Sequence, residues 1–195
     1  MRGRLTLDMR CPRFRPPMRL IPTRIAGCCR IELVHIGDAR GAFTSVMELD
    51  RMREVDPSFT VARVNRSLTR RRGAIRGLHF QREPMAEGKL IQCLSGAIFD
   101  VCVDYRPDSA SYLQWVGAEL SAENQQLMLI PKGCAHGFQA LREDTWVEYF
   151  VTGQYSPPHE GGLRWDDPAL AIEWPLPCSQ TSPRDAVWPL LEPGH

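Results

Sequence analysis

The segment IRGLHFQ, residues 75–81, places a single histidine, His79, in a glycine-punctuated apolar strand. An imidazole with an ordinary pKa of about 6.5 keeps a lone pair at neutral pH, so His79 can serve as general base, proton shuttle or metal ligand. A second histidine, His136, follows another apolar strand in IPKGCAHGF, where Pro131, Gly133 and His136 form P-x-G-x-x-H. Spacing by itself does not separate catalysis from packing at His79, because a lone strand histidine is more often a satisfied core residue. Asp100, in AIFDVCVDY, is equally two-sided. Alternation sets Phe99, Val101 and Val103 on one face and Asp100, Cys102 and Asp104 on the other. A carboxylate in such a run either lines a wet cavity or sits at a solvated sheet edge.

Strands must hold these side chains. RIELVHI, AFTSVM, FTVARVN, AIRGLHFQ, KLIQCLSGAIFDVCVDY, YLQWVGAELS, QLMLIP, HGFQALR and TWVEYFVT read as nine or ten strands, separated by turn clusters such as SG, RPDSAS and PKG. That spacing predicts an all-β sandwich or barrel. MELDRMREV is the one short helical candidate, with Leu49, Met52 and Val55 near one face. Beyond Tyr155, SPPHEGGLRWDDPALAIEWPLP is rich in proline and glycine and reads as a short irregular or helical C-terminal arm packed against the sheets.

The chain has 195 residues and a formal charge of +1. Residues 1–30 carry eight arginines against Asp8 alone, so the remaining 165 carry 16 basic and 22 acidic groups. A mildly acidic body excludes nucleic acid as its partner, since phosphate affinity needs a clustered basic surface. Arg70-Arg71-Arg72 is the local exception and reads as a solvated turn. Residues 1–29 read as an Arg-rich, disordered extension ahead of a single domain spanning 30–195. They lack the continuous apolar stretch of a secretory signal, and no stretch of the chain approaches the roughly 18–20 apolar residues of a membrane span. Seven cysteines without a CxxC pair indicate neither a disulfide framework nor a zinc site, so a reducing cytoplasm is the expected setting.

IPKGCAHGF resembles the second signature of the cupin superfamily, a jelly-roll fold. Metal-binding cupins carry H-x-H in the first signature, and here Gln81 stands where the second histidine would be. His79 and His136 remain, fewer than the three or four ligands of a catalytic metal. A longer resemblance runs from about Ile31 to Leu191. The blocks IRGLHFQ, EGKLIQC, GAIFDVCVDYRPDSASY, ELSAENQQLMLIPKGCAHGFQAL, YFVTGQYSP, EGGLRWDDPALAIEWP and SPRDAVWPLL follow in the order and spacing of the dTDP-4-dehydrorhamnose 3,5-epimerase family.

This resemblance implies epimerisation at C3, C5 or both of a nucleotide-linked 4-keto-6-deoxy sugar, with no metal or redox cofactor. The C4 ketone acidifies the adjacent C–H bonds by delocalising the carbanion as an enolate. By position in the family pattern, His79 is the base, Asp185 in SPRDA the carboxylate that orients it, Lys89 in EGKL the enolate-stabilising cation and Tyr149 in EYFVT the acid on the opposite face. Substrate anchoring carries over to Arg40, Asn65, Arg76, His136, Glu160 and Arg184. Strict alternation would set Arg76 and His79 on opposite faces, so Gly77 is expected to mark a bulge. The chain departs from the pattern at Ser45, where a glutamate is usual, and at Arg63, where a glutamine is usual. A homodimer with exchanged N-terminal strands is implied, as is a role in deoxysugar or cell-surface polysaccharide synthesis. Two other classes fit the fold, a non-catalytic nucleotide-sugar-binding cupin and a metal-dependent cupin oxygenase. Retention of base, acid and lysine together speaks against the first and Gln81 against the second.

Overall fold

The computed structural model of the chain describes residues 18–192. Among them are 13 strands: β1 (Arg19–Pro22), β2 (Cys29–Glu32), β3 (His35–Asp38), β4 (Gly41–Thr44), β5 (Arg63–Thr69), β6 (Ile75–Gln81), β7 (Lys89–Ser95), β8 (Ala97–Asp104), β9 (Trp115–Ser121), β10 (Leu127–Ile130), β11 (Cys134–Ala140), β12 (Thr145–Val151) and β13 (Glu160–Gly162). Two short helices, α1 (Leu49–Arg53) and α2 (Pro183–Ala186), accompany them. A six-stranded sheet runs β1-β2-β10-β7-β12-β5 and a five-stranded sheet β13-β6-β11-β8-β9, while β3 and β4 form a separate hairpin. This is the expected all-β jelly roll. No helix among the described residues is long and apolar enough to cross a membrane.

The strand count exceeds nine or ten because long runs break and two short strands carry little signal. RIELVHI divides: β2 stays in the large sheet, while β3 pairs only with β4. KLIQCLSGAIFDVCVDY turns at Gly96, where φ is +79° and an added Cβ would run into Thr145. YLQWVGAELS becomes extended only at Trp115, Leu113 standing in a turn with φ +60°.

Apolar material lies in three layers, which explains why several strands read as unbroken hydrophobic runs. Between the sheets pack Ile91, Cys93, Ile98, Cys102, Leu120, Met128 and Phe138. Outside the large sheet, Ile31, Leu90, Leu127 and Leu129 pack under Met52 of α1 and Phe59. Outside the smaller sheet, Leu78, Phe80, Val101 and Val103 are covered by Leu163, Leu170, Ile172 and Trp174 of the C-terminal arm. The alternation in β8 holds, with Phe99, Val101 and Val103 toward the arm and Cys102 toward the interior. In α1 only Met52 is buried, and Leu49 faces out.

The domain boundary expected at residue 29 is displaced. Strand β1 pairs with β2 from Arg19 to Pro22, and Met18, Ile25 and Cys28 are buried. Arginine density at residues 19, 24 and 30 masks the apolar positions between them. Residues 1–17, including Cys11, lie outside the described residues. The six described cysteines are all free thiols. Arg70, Arg71 and Arg72 form the exposed turn expected of them.

In β6 the ladder is irregular. His79 pairs with His136 and Arg76 with Phe138, so three steps of β6 oppose two of β11. The additional residue is a bulge, and Gly77 sits in it with φ +123°. A Cβ there would lie 2.6 Å from Gly137 Cα and 2.9 Å from the His136 carbonyl oxygen, both rigid backbone atoms. Gly77→Ala therefore combines left-handed strain with overpacking, and should destabilise the fold by about 3 kcal/mol. Thermal denaturation checks this as a drop in Tm of roughly 6–12 °C.

Candidate active site

Between the two sheets opens a cavity of about 820 Å³. Its walls are β5, β7 and β12 from the large sheet and β6 and β11 from the smaller one, with the segment 180–185 closing one side. His79, Lys89, Tyr149, Asp185, Asn65, Arg76, His136 and Arg184 all line it. The β6 bulge explains how Arg76 and His79 share this wall, since the additional residue converts a spacing of three into an effective spacing of two.

Asp185 reaches His79 across 106 positions because the arm folds back along β6. Ile75 N–H donates to the Gln180 carbonyl at 2.8 Å, which sets the start of α2. Ser182 caps that helix, its Oγ accepting from Asp185 N–H at 3.0 Å, and Pro183 follows at the first helical position. The Asp185 carboxylate then accepts from His79 Nε2 at 2.7 Å and from Gly77 N–H at 3.2 Å. Burial pushes this carboxyl pKa up, but His79, the Gly77 N–H and Ser182 outweigh burial and hold it below 3.8. With Nε2–H donated to the carboxylate, Nδ1 of the half-exposed His79 keeps the lone pair.

A second histidine–carboxylate pair lies next to the first. His136 Nε2 is 2.7 Å from Asp100 Oδ1, and both side chains are buried. Asp100 is thus fully enclosed rather than solvated at a sheet edge. Its pKa is raised by burial, against the opposing pull of His136 and Lys89.

Tyr149 stands on β12, in the sheet opposite His79. Its ring meets the His136 ring edge-on at 6.2 Å between centroids, and its hydroxyl lies 2.9 Å from Ser67 Oγ. Burial pushes its pKa up to about 12, with Ser67 opposing. The phenol therefore keeps its proton at neutral pH. Tyr149 serves as pocket wall and core together, packing against Val147. Lys89 Nζ lies 3.5 Å from the His79 carbonyl oxygen and 3.6 Å from Glu87 Oε1, and burial lowers its pKa. At the cavity mouth stand Arg66, Arg70, Arg71, Arg76 and Arg184, of which Arg66, Arg70 and Arg184 are ion-paired with Glu148, Asp144 and Glu160; their guanidinium forks suit an anionic ligand.

Two of the implied residues are placed elsewhere. Arg40 sits in the β3–β4 turn, exposed and ion-paired with Asp38, and does not line the cavity of its own chain. Glu160 on β13 stays behind the wall, pairing with Arg184 and accepting from Tyr155 Oη at 3.0 Å. Gln81 is buried and clamps a loop, with Nε2 2.9 Å from the carbonyls of Met85 and Gln154 and Oε1 accepting from Ser156 N–H. Other lining residues carried a simple signal: stepping by two along β5 from Asn65 finds Arg63, Ser67 and Thr69. Glu87 lines the cavity from the loop just before β7, where no strand pattern marks it. Gln180 and Thr181 gave none, because their place depends on how the arm docks.

The family model for dTDP-4-dehydrorhamnose 3,5-epimerase matches residues 22–193. The chain is 48% identical over 156 residues to the dTDP-4-dehydrorhamnose 3,5-epimerase of Sinorhizobium fredii, covering 80% of each. It superposes with a TM-score of 0.85 on the crystal structure of the enzyme of that name from Bacillus anthracis, with TDP and PPi bound, at 41% identity and covering 90% of this chain and all of that one. The dTDP-6-deoxy-D-glucose-3,5-epimerase of Legionella pneumophila, in complex with dTDP-4-keto-L-rhamnose, gives a TM-score of 0.83 at 39% identity, covering 89% and 93%. These matches span nearly the whole jelly roll and include the strands that carry His79, Lys89 and Tyr149 and the arm that carries Asp185, and on them the chain belongs to the dTDP-4-dehydrorhamnose 3,5-epimerase family, sugar epimerases of the isomerase class.

Proposed function

We propose that the chain inverts C3, C5 or both of a dTDP-linked 4-keto-6-deoxy sugar through an enolate, using its own side chains alone. The observation that carries this reading is the opposition of a histidine base and a protonated tyrosine on facing walls of one cavity. His79 Nδ1 takes the proton from the carbon next to the ketone. Its electron pair passes into the carbonyl, leaving an enolate oxygen that the Lys89 ammonium stabilises in a site shielded from water. Asp185 stabilises the imidazolium formed at His79 without itself taking the proton. Tyr149 then delivers its proton to the opposite face of the carbon, and the configuration inverts. Solvent exchange returns both groups to their starting states.

Asn65, Arg76, His136 and Arg184 anchor the nucleotide sugar, with the arginine rim on the diphosphate. Arg40 enters only in an assembly. We propose a homodimer, in which the exposed β3–β4 hairpin bearing Arg40 and Phe43 reaches the partner's cavity. Its isolation from both main sheets and the 67% exposure of Phe43 support this. Glu160 acts through Arg184 by holding its guanidinium. The unbonded thiols of Cys28, Cys29, Cys102 and Cys134 suit a reducing, cytoplasmic setting. The product would serve deoxysugar or cell-surface polysaccharide synthesis.

Incubating the protein with dTDP-4-keto-6-deoxyglucose in D₂O and following C3 and C5 by NMR tests the reaction. Deuterium should enter at one or both carbons, and absence of exchange at both would leave only binding. His79→Ala should slow exchange by roughly 10²–10⁴-fold. Tyr149→Phe should retain exchange while losing inverted product. A further check concerns Asp185, whose pKa is lowered in the fold, so that its stabilisation is present above pH 3.8 and lost as pH falls through the folded-state value. Urea unfolding should find Asp185→Asn less stable than wild type at pH 7, with the gap closing below about pH 4.

A further inference from the structure

Glu87 is a carboxylate 6% exposed at its side chain, lining the cavity two residues before Lys89. Its oxygens divide between three partners. Oε2 accepts from Arg63 Nη2 at 2.6 Å and lies 3.1 Å from Gln81 Nε2, while Oε1 faces Lys89 Nζ at 3.6 Å. Arg63, which stands where the family has glutamine, and Gln81, which stands where metal-binding cupins have histidine, thus converge on one buried anion. Arg63 is no free cation in the cavity, since Glu87 offsets it.

A buried ammonium is unfavourable unless an anion is close by. The charged or titratable groups lining the cavity with Lys89 are Arg63 and Arg66 from β5, Arg70 and Arg71 from the turn after it, Arg76 and His79 from β6, Glu87, His136 from β11, Tyr149 from β12, and Arg184 and Asp185 from α2, while Asp100 of β8 acts on Lys89 without lining the cavity. Asp185 is engaged by His79 and Asp100 by His136, each at 2.7 Å. Glu87 is the carboxylate whose oxygen lies within ion-pair distance of Nζ.

We propose that Glu87 is the positioning residue for Lys89, holding the ammonium in place and charged at the cavity wall, with Arg63 and Gln81 fixing the carboxylate. The catalytic meaning rests on the reading of Lys89 as the group that stabilises the enolate. Burial lowers the pKa of Lys89, Glu87 is the strongest influence opposing it, Arg63 adds to the lowering and Asp100 opposes it. Removing the Glu87 charge therefore moves Lys89 further down, and removing the Arg63 charge moves it up.

The chain contains two lysines, Lys89 and Lys132, so labelling lysine with ¹³C at Cε gives two NMR resonances, assigned with Lys132→Arg. In Glu87→Gln, Lys89 should titrate lower by about one pH unit or more. The alkaline limb of kcat for exchange should shift down with it, leaving KM nearly unchanged. Glu87→Asp should restore part of both. In Arg63→Gln, Lys89 should titrate higher, and this variant carries the test if Glu87→Gln does not fold. Lys89 titrating as in wild type in Glu87→Gln, or lower in Arg63→Gln, overturns the proposal. The titration does not depend on turnover. A shifted Lys89 in a protein without exchange upholds the ion pair and overturns the epimerase reading alone, whereas an unshifted Lys89 in an active protein overturns the role of Glu87 alone.

Discussion

Strand geometry alternates side chains strictly between two faces, and the chemistry of this cavity depends on breaking that alternation once. The additional residue in β6 brings Arg76 onto the same wall as His79. The bulge also frees the Gly77 N–H from the ladder with β11 and turns it toward Asp185. That carboxylate consequently has two donors on one strand, the imidazole and the backbone, which fix both its position and its charge. Close approach of β6 to Gly137 leaves no room for a side chain at Gly77. Packing, register and the orientation of His79 follow from one glycine.

Around this point the cavity is organised as carboxylates each paired with a histidine or a cation. Asp185 serves His79, Asp100 serves His136, and Glu87 serves Arg63 and Lys89. Each couple reduces the cost of burying its members, and each leaves a polar or cationic group facing the cavity. The proposed proton acceptor and proton donor are separated by environment. His79 is partly open to water and backed by a carboxylate, whereas Tyr149 is enclosed and raised to about 12. A phenol kept protonated on the wall facing an imidazole is the arrangement that proton removal and return on opposite faces of one carbon would need.

Much of this was legible. The apolar runs of β7, β8 and β10 read as strands, and the irregular arm was required to pack against the sheets, as it does. His79, His136, Lys89 and Tyr149 stand in strands, where a local pattern fixes which way a side chain points. Even Gly77 could be read, because a three-residue spacing between two site residues in a strand demands a bulge. The partners were less accessible. Asp100 was ambiguous between cavity and solvent until β11 was seen beside β8, and nothing local distinguishes Glu87 from a surface carboxylate in a glycine-containing loop. Arg40 and Glu160 fit the family pattern by position, yet one lies on a separate hairpin and the other behind Arg184.

By itself the sequence determined most of the strands and the all-β class, because these follow from alternation and turn residues, while the kind of chemistry and the four residues proposed to carry it rested on the order and spacing of motifs that resemble the family's. Only the tertiary structure decided which charges meet. The His79–Asp185 bond spans 106 positions, the His136–Asp100 bond 36 and the Arg63–Glu87 bond 24. An ion pair is a matter of a few ångströms, and separation along a folded chain carries no information about distance in space until the sheets have closed.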